Sequence, residues 1–296
     1  MVILCADVGG SYIEFAQSDA CHRLAHRQRV PTPTQDLDLF VAALASLADG
    51  YDRAIPLHIA IAGVCAPITG RTRAANIPCI YDVPLRQVLM QRLQRDVLVA
   101  NDAHCFALNE AMQGVGQGHD IVFGVILGTG VGGGLIVHGL PVIGPGGLAG
   151  EWGHGPFITD SALPARAPLL PCQCGQQGCL DTIGGARGIE RLHLFLHGEE
   201  LAIRPILTHW ANGEPRAIET INVWLDRMSA GLAMVVNVTG ASIVPVGGGL
   251  AHQTRLLHAL DEKVRGRILR QDAAALVVPG ALPAESGLAG ASWLKS

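Results

Sequence analysis

The sequence predicts a mixed α/β protein built as two similar lobes around a cleft, and three observations carry that prediction. The chain has 296 residues, more than one hydrophobic core usually organises. Strand-like runs arrive in a group of three and then alternate with helical segments, and the pattern recurs after residue ~120. Both halves place glycine-rich turns at strand ends, where α/β folds gather their ligands.

Taken in order, residues 2–6 form an apolar run that ends in Asp7-Val8-Gly9-Gly10-Ser11. This reads as a strand, a tight turn and a second strand over 12–16. Pro31 and Pro33 close a third strand. Thr34 then caps a helix that lines up Leu37, Phe40, Val41, Leu44 and Leu47 on one face. A buried strand is expected over 57–62 and a helix over 84–93. A strand over 97–100 delivers Asn101 and Asp102 to its C-terminal end, and a helix over 103–112 follows. The second block opens with strands over 121–127 and 134–137 that flank the glycine-rich 128–133. Helices are expected at 187–196, 202–210 and 215–238. A strand over 242–246 then enters Gly247-Gly248-Gly249, before a helix that runs to about 269. Segment 285–294 closes the chain as a helix.

Composition excludes several classes. Hydrophobic residues make up 49% and charged residues 16%, with a mean hydropathy of +0.33. That suits a large core and not a disordered chain. No apolar run reaches the ~18 residues that cross a bilayer, because glycine repeatedly breaks the longest one, 121–137. The start MVILCADVGG has no basic segment and meets an acid at Asp7, so it is not read as a signal peptide, and the protein is expected in the cytoplasm. A net charge of −4, a pI near 6.3 and the lack of a Lys/Arg cluster argue against nucleic acid as the main partner.

Five motifs carry chemistry. Asp7-Val8-Gly9-Gly10-Ser11 can bring backbone N–H groups and a hydroxyl to a phosphate, or can be an ordinary hairpin turn. Gly128-Thr129-Gly130-Val131-Gly132-Gly133 offers a second nest of N–H groups suited to a polyphosphate, with a structural hairpin as the plain alternative. Gly247, Gly248 and Gly249 end a strand before a helix, as a close-packing turn or as backbone laid beside a nucleoside. Asp102 reads either as a helix cap or as a general base for an alcohol, with Asn101 fixing a neighbouring hydroxyl. The most specific motif is the last. Cys172, Cys174 and Cys179, in a C-x-C-x4-C pattern, together with His154, make a closed Cys3His set, the ligand type of structural zinc. A redox site or chance clustering is the bland alternative, and the other five cysteines read as small core residues. Glu151, three residues before His154, would be oriented along with it.

DVGGS, NDA, LGTGVGGG, GEWGH, CQCGQQGC and VGGG, in this order along nearly the whole chain, resemble the ROK (repressor, open reading frame, kinase) family of sugar kinases. RVPTPTQDLDLF, AANIPCIYDVPL and VANDAHCFALNEA look most like its N-acetylglucosamine kinases, whereas GEWGH and the cysteine loop are also similar to its fructokinases. The resemblance implies an actin-like ATPase (ribonuclease H-like) fold, usually dimeric. Its smaller lobe would be 1–118 with the terminal helix 284–296 returning to it, and its larger lobe 119–283 with the zinc loop. It further implies ATP with Mg²⁺, Asp7 positioning the Mg²⁺–ATP, and Asp102 as base toward a 6-hydroxyl. Asn76, Asn101, Glu151, His154 and Asp181 would face the sugar. Gly9, Gly10, Ser11, Gly128, Thr129, Gly130, Gly132 and the three glycines 247–249 would line the nucleotide. The chain departs from the family pattern in having Ser11 for the usual Thr, Tyr12 for a Lys or Asn, and Asp181 for a Glu one methylene longer. The helix-turn-helix domain of the repressor branch has no place before a loop that begins at residue 7. A kinase of another hexose and a sugar sensor without turnover remain the competing readings.

Overall fold

The computed structural model describes residues 2–158, 167–271, 274–282 and 286–295. The chain first lays down β1 (Ile3–Val8), β2 (Tyr12–Ser18), β3 (Leu24–Pro31), α1 (Leu37–Leu47), β4 (Leu57–Ile61), the two-residue strands β5 (Val64–Cys65) and β6 (Thr72–Arg73), α2 (Leu85–Leu93), β7 (Val97–Asn101) and α3 (Asp102–Gln113). It continues with β8 (Ile121–Leu127), β9 (Val131–Val137), β10 (Leu140–Val142), α4 (Asp181–Gly184), α5 (Ala186–His197), α6 (Ile203–Ala211), α7 (Pro215–Thr239), β11 (Val244–Gly247), α8 (Thr254–Arg265), β12 (Val277–Pro279) and α9 (Ser286–Ala291).

The repeat anticipated from the strand pattern is explicit in the sheet topology. One sheet runs β3-β2-β1-β4-β7 and the other β10-β9-β8-β11-β12, the same order counted along the chain. In each, a hairpin pair precedes strands that pair in parallel: β1 with β4 and β4 with β7, then β8 with β11 and β11 with β12. The fold is the actin-like α/β fold. By contacts the chain divides into two compact units: 1–117 with 134–150 and 282–296, and 118–133 with 151–281.

Strand periodicity sorts the first sheet into two different faces. Leu4, Ala6, Val8, Ile13, Phe15, Ile59 and Ile61 pack with Phe40, Leu44, Leu85 and Leu89 of α1 and α2. The opposite face is built of small side chains, Cys5, Ala16, Ala60 and Ala100, and takes Cys105 of α3 with Leu288 and Ala291 of α9. Asp7 alternates with Ala6 and Val8 and so falls on this second face. In the second unit α7 buries Ile221, Trp224, Leu225, Met228 and Leu232, and Trp224 Nε1 donates to the Gly184 carbonyl at 3.1 Å.

Several expectations are corrected. The cap of α1 is Asp36, whose carboxylate accepts from the Asp38 and Leu39 N–H groups, because the helix starts three residues after Thr34. The glycines after residue 130 are not a loop: β9 begins at Val131. A methyl group on Gly134 would lie 2.7 Å from the Ala103 carbonyl oxygen, so glycine there lets α3 approach the strand. The helix placed up to 269 ends at Arg265, and a 3-10 turn, Gly249–His252, precedes it. α9 spans Ser286–Ala291 within the segment 285–294; residues 284, 285 and 296 lie outside the described residues.

Candidate active site and metal centre

In the first unit the register of the parallel strands aligns Val8 with Ile61 and Ile61 with Asn101. The turn Gly9–Ser11, the Ala62–Gly63 turn and Asn101–Asp102 therefore share one sheet edge, the C-terminal one. Gly9 N–H donates to the Tyr12 carbonyl at 3.0 Å and Thr32 Oγ1 donates to the Gly9 carbonyl at 2.7 Å, which pins the turn. Asn76 arrives on the loop after β6, exposed and directly against the turn; a methyl group on Gly10 would be 2.9 Å from Asn76 Cβ. Tyr12 lies under the Arg29 guanidinium, 3.8 Å from ring centroid to carbon, so its ring is committed to β3.

Asn101 is the N-cap of α3. Its Oδ1 accepts from the Ala103 and His104 N–H groups at 2.9 and 3.2 Å, and its Nδ2 donates to the Gly63 carbonyl at 2.9 Å. Both ends of the amide are engaged within the protein. Asp102 is the first helical residue, and its Oδ1 also accepts from Ala103 N–H at 2.9 Å. Its carboxylate lies at the positive end of the helix dipole. Asp7 is pushed up to about 7, first by burial and then by the charges of Asp102 and Glu14. Three acids thus repel one another at this edge, an environment that a divalent cation would relieve.

In the second unit the turn after β8 is held by backbone. The Gly128 N–H donates to the Gly130 carbonyl at 3.1 Å, and the Ala186 N–H donates to the Gly128 carbonyl at 3.0 Å. Gly248, at φ +84°, stacks on this turn: a methyl group there would be 2.5 Å from the Leu127 carbonyl oxygen. Gly247 ends β11 and Gly249 starts the 3-10 turn, with Thr129 and Gly249 exposed. Gly132 carries the Trp152 Nε1 donor on its carbonyl at 3.0 Å. Asp181 takes the Val131 N–H on Oδ1 at 2.8 Å and stands against Gly130, while its Oδ2 is 3.8 Å from the Cys172 thiol. That carboxylate braces the glycine turn against the cysteine loop.

His154, Cys172, Cys174 and Cys179 converge, with ligand atoms all within 4.8 Å of one another. Tetrahedral zinc with Zn–S near 2.3 Å and Zn–N near 2.0 Å requires ligand atoms about 3.5–3.8 Å apart. Cys174 and Cys179 Sγ are 3.6 Å apart, and Cys172 Sγ is 3.5 Å from His154 Nδ1. These two separations are compatible with a tetrahedral zinc site and far longer than a disulfide. The Cys174 thiol is lowered to about 7, first by the backbone N–H of Gln176, whereas burial pushes the neighbouring Cys172 thiol up to about 12. Gly175 at φ +87° and Gly178 at φ +77° let the loop fold back on itself. His154 Nε2 is 3.5 Å from Glu151 Oε2, so one imidazole links the four-ligand cluster to a carboxylate. Glu151 is raised, first by burial, with His154 opposing the shift and Asp181 adding to it.

A further pair of residues carried no motif: Gly63, on which Asn101 Nδ2 rests, and Gly287, beside Asp7. Neither spacing nor composition singles them out. Among the described residues no helix is long and apolar enough to cross a membrane.

A family model described as the ROK family matches residues 3–296. The N-acetyl-D-glucosamine kinase of Pectobacterium atrosepticum is 35% identical over 269 residues, which are 89% of this chain and 88% of that protein. The ROK hexokinase of Thermus thermophilus superposes with a TM-score of 0.84 at 29% identity, covering 99% of this chain and 97% of that one. A ROK family glucokinase from Streptomyces griseus, solved with glucose and AMPPNP, gives 0.75 at 28% identity and covers 98% of each chain. The chain belongs to the ROK family and has the actin-like fold of that family's sugar kinases.

Proposed function

We propose that this chain, a sugar kinase of the ROK family, transfers the terminal phosphoryl group of ATP to the 6-hydroxyl of N-acetyl-D-glucosamine. The observation that carries the reading is the division of labour at the start of α3. Asn101 is the N-cap of the helix, so Asp102 is not required for that role and stands as the first helical residue, on the same sheet edge as Asp7. Asp102 accepts the proton of the attacking hydroxyl as the new P–O bond forms. Asp7 stands on the same edge, among like charges, where Mg²⁺ would be held with the ATP it accompanies; that ion neutralises charge on the phosphate oxygens. Gly128, Thr129, Gly130 and Gly247–Gly249 supply bare backbone for the nucleotide. His154, Cys172, Cys174 and Cys179 hold a structural Zn²⁺, which fixes the imidazole that orients Glu151 toward the sugar.

The choice of sugar rests on the curated relatives at 33–35% identity, all named for N-acetyl-D-glucosamine. Glucose is the second candidate, since the similar structures from Thermus thermophilus and Streptomyces griseus are a hexokinase and a glucokinase. A coupled assay of ADP release across glucose, fructose, mannose and their 2-acetamido derivatives tests the assignment. N-acetylglucosamine should show the highest kcat/KM. A preference of tenfold or more for glucose or fructose, about 1.4 kcal/mol of discrimination, overturns the sugar. ATP consumption with none of them overturns the kinase reading.

A further inference from the structure

α9 lies on the small-residue face of the first sheet, with Leu288 and Ala291 set among Cys5, Ala16, Ala60 and Ala100. Two of its residues stand where a side chain would meet a neighbour, Gly290 against backbone and Gly287 against the end of a side chain. A methyl group on Gly287 would sit 2.5 Å from Asp7 Oδ2, and one on Gly290 would run into the carbonyl of Cys105. Cys105 is three residues after Asp102, one turn along α3. The helix therefore touches the strand that carries one carboxylate and the helix that carries the other.

It is also tied down along its length. Leu282 N–H donates to Glu110 Oε1 at 3.1 Å, which anchors the entry to α3 itself. His58 Nδ1 is 3.0 Å from the Ala291 carbonyl, and His22 Nδ1 is 3.0 Å from Ser292 Oγ. The Trp293 ring stacks on His22 with centroids 3.4 Å apart. The C-terminal end of α9 is thus held to β4 and to the turn that carries His22. Glycine inside a helix is a destabilising choice relative to alanine, so two of them in six residues call for a reason other than helix formation. Close approach to Asp7 and to the Cys105 backbone supplies it.

We propose that α9 is a positioning element for the two carboxylates, with Gly287 setting the place of the Asp7 side chain and Gly290 that of the first turn of α3, and hence of Asp102. The assignment rests on the kinase reading for its consequence, not for its geometry. Phosphoryl transfer depends chiefly on placement, so a displacement of about 1 Å at either carboxylate can lower turnover by up to about 10²-fold. Neither glycine touches substrate; both act through the residue they face.

Two readouts test this, one independent of activity. In a double-variant cycle followed by thermal melting, Gly287→Ala should lower Tm, and Asp7→Ala should remove most of that loss by clearing the space the methyl group needs. Gly290→Ala meets backbone, so its loss should be the same with Asp7 or Ala at position 7. Equal losses for Gly287→Ala in both backgrounds would overturn the contact. If Gly287→Ala does not fold, the Asp7→Ala/Gly287→Ala chain should; failure of both is likewise contrary. In the second readout, Gly287→Ala should lower kcat by about tenfold or more and raise KM for Mg²⁺–ATP, with the affinity for N-acetylglucosamine, measured by calorimetry, little changed. Ser292→Ala loosens the same helix without facing a carboxylate, and should lower Tm while kcat stays within about twofold of wild type. Parallel behaviour of Gly287→Ala and Ser292→Ala would reduce α9 to packing. A wild-type chain that turns over no sugar fails the kinase reading, and the melting cycle still decides the contact.

Discussion

The C-terminal edge of β1, β4 and β7 carries Asp7, Asn101 and Asp102, whereas the equivalent edge of β8, β11 and β12 carries Gly128, Thr129, Gly130, Gly247 and Gly248. The strand order is the same in both sheets. What differs is where the chemistry sits: side chains at one edge, peptide groups at the other. Carboxylates can accept a proton and hold a cation, and burial with neighbouring like charges raises them, as at Asp7. A nest for phosphate needs N–H groups without side chains in the way, so it is built of glycine and stays nearly neutral. One carboxylate approaches the second edge, Asp181 from α4, and it accepts the Val131 N–H. One duplicated scaffold thus presents two different chemistries through a handful of residues at its strand ends.

The comparison breaks most visibly if the first edge works without its acid. Asp102→Asn keeps the size of the side chain and leaves the Asn101 cap in place. Loss of a general base should then reduce kcat by about 10²–10⁴-fold, with sugar affinity and Tm close to wild type. A kcat within threefold of wild type would return Asp102 to a structural role. Next in size is the metal. Elemental analysis should find one zinc per chain, and Cys174→Ser should lose it. Freeing His154 and the Asp181 brace should then weaken sugar binding by roughly 10–100-fold, more than ATP binding. A metal-free wild type with full activity contradicts this. The smallest effect sharpens the second edge. Gly248→Ala forces φ +84° on a residue with a Cβ and meets the Leu127 carbonyl, so it should cost about 1–3 kcal/mol on melting. Gly249→Ala has nothing within 4 Å and should stay within about 0.5 kcal/mol.

Much of this contrast is legible in the sequence, and the gaps have physical causes. An apolar run that stops at Asp7 and another that stops at Asn101 mark the first edge, because a buried strand must be apolar until it emerges. The cysteine spacing marks the candidate metal site, because three thiols on a short loop leave few geometries. Sequence could not choose which of Asn101 and Asp102 caps the helix, since both residue types cap equally well; the backbone of Asn101, extended at φ −66° and ψ 144°, makes Asn101 the cap and Asp102 the first helical residue. Thr34 and Asp36 are a similar pair, and Asp36 caps the helix. β10 and β12 are three residues each, too short for an alternating pattern to register. Gly132 and Gly133 look like a loop by composition and are strand in fact, and next to them Gly134 lets α3, far away along the chain, approach the strand. Gly287 is silent for the same reason: its partner, Asp7, is at the other end of the sequence.

The central claim is that the first edge keeps a carboxylate the fold itself would rather have neutral. Asp7 ionises near 4 in the unfolded chain but at about 7 in the folded protein. Between those values the unfolded chain gives up its proton first, so Asp7 withdraws stability as pH rises from about 4 to 7, on the order of a few kcal/mol. Asp7→Asn has no proton to lose. Thermal melting of wild type and Asp7→Asn at pH 4 and pH 7.5, without Mg²⁺ or nucleotide, measures this directly. The account predicts nearly equal Tm at pH 4, a higher Tm for Asp7→Asn at pH 7.5, and severe loss of ATP-dependent turnover in that same variant. A Tm at pH 7.5 equal to or below that of wild type would contradict it.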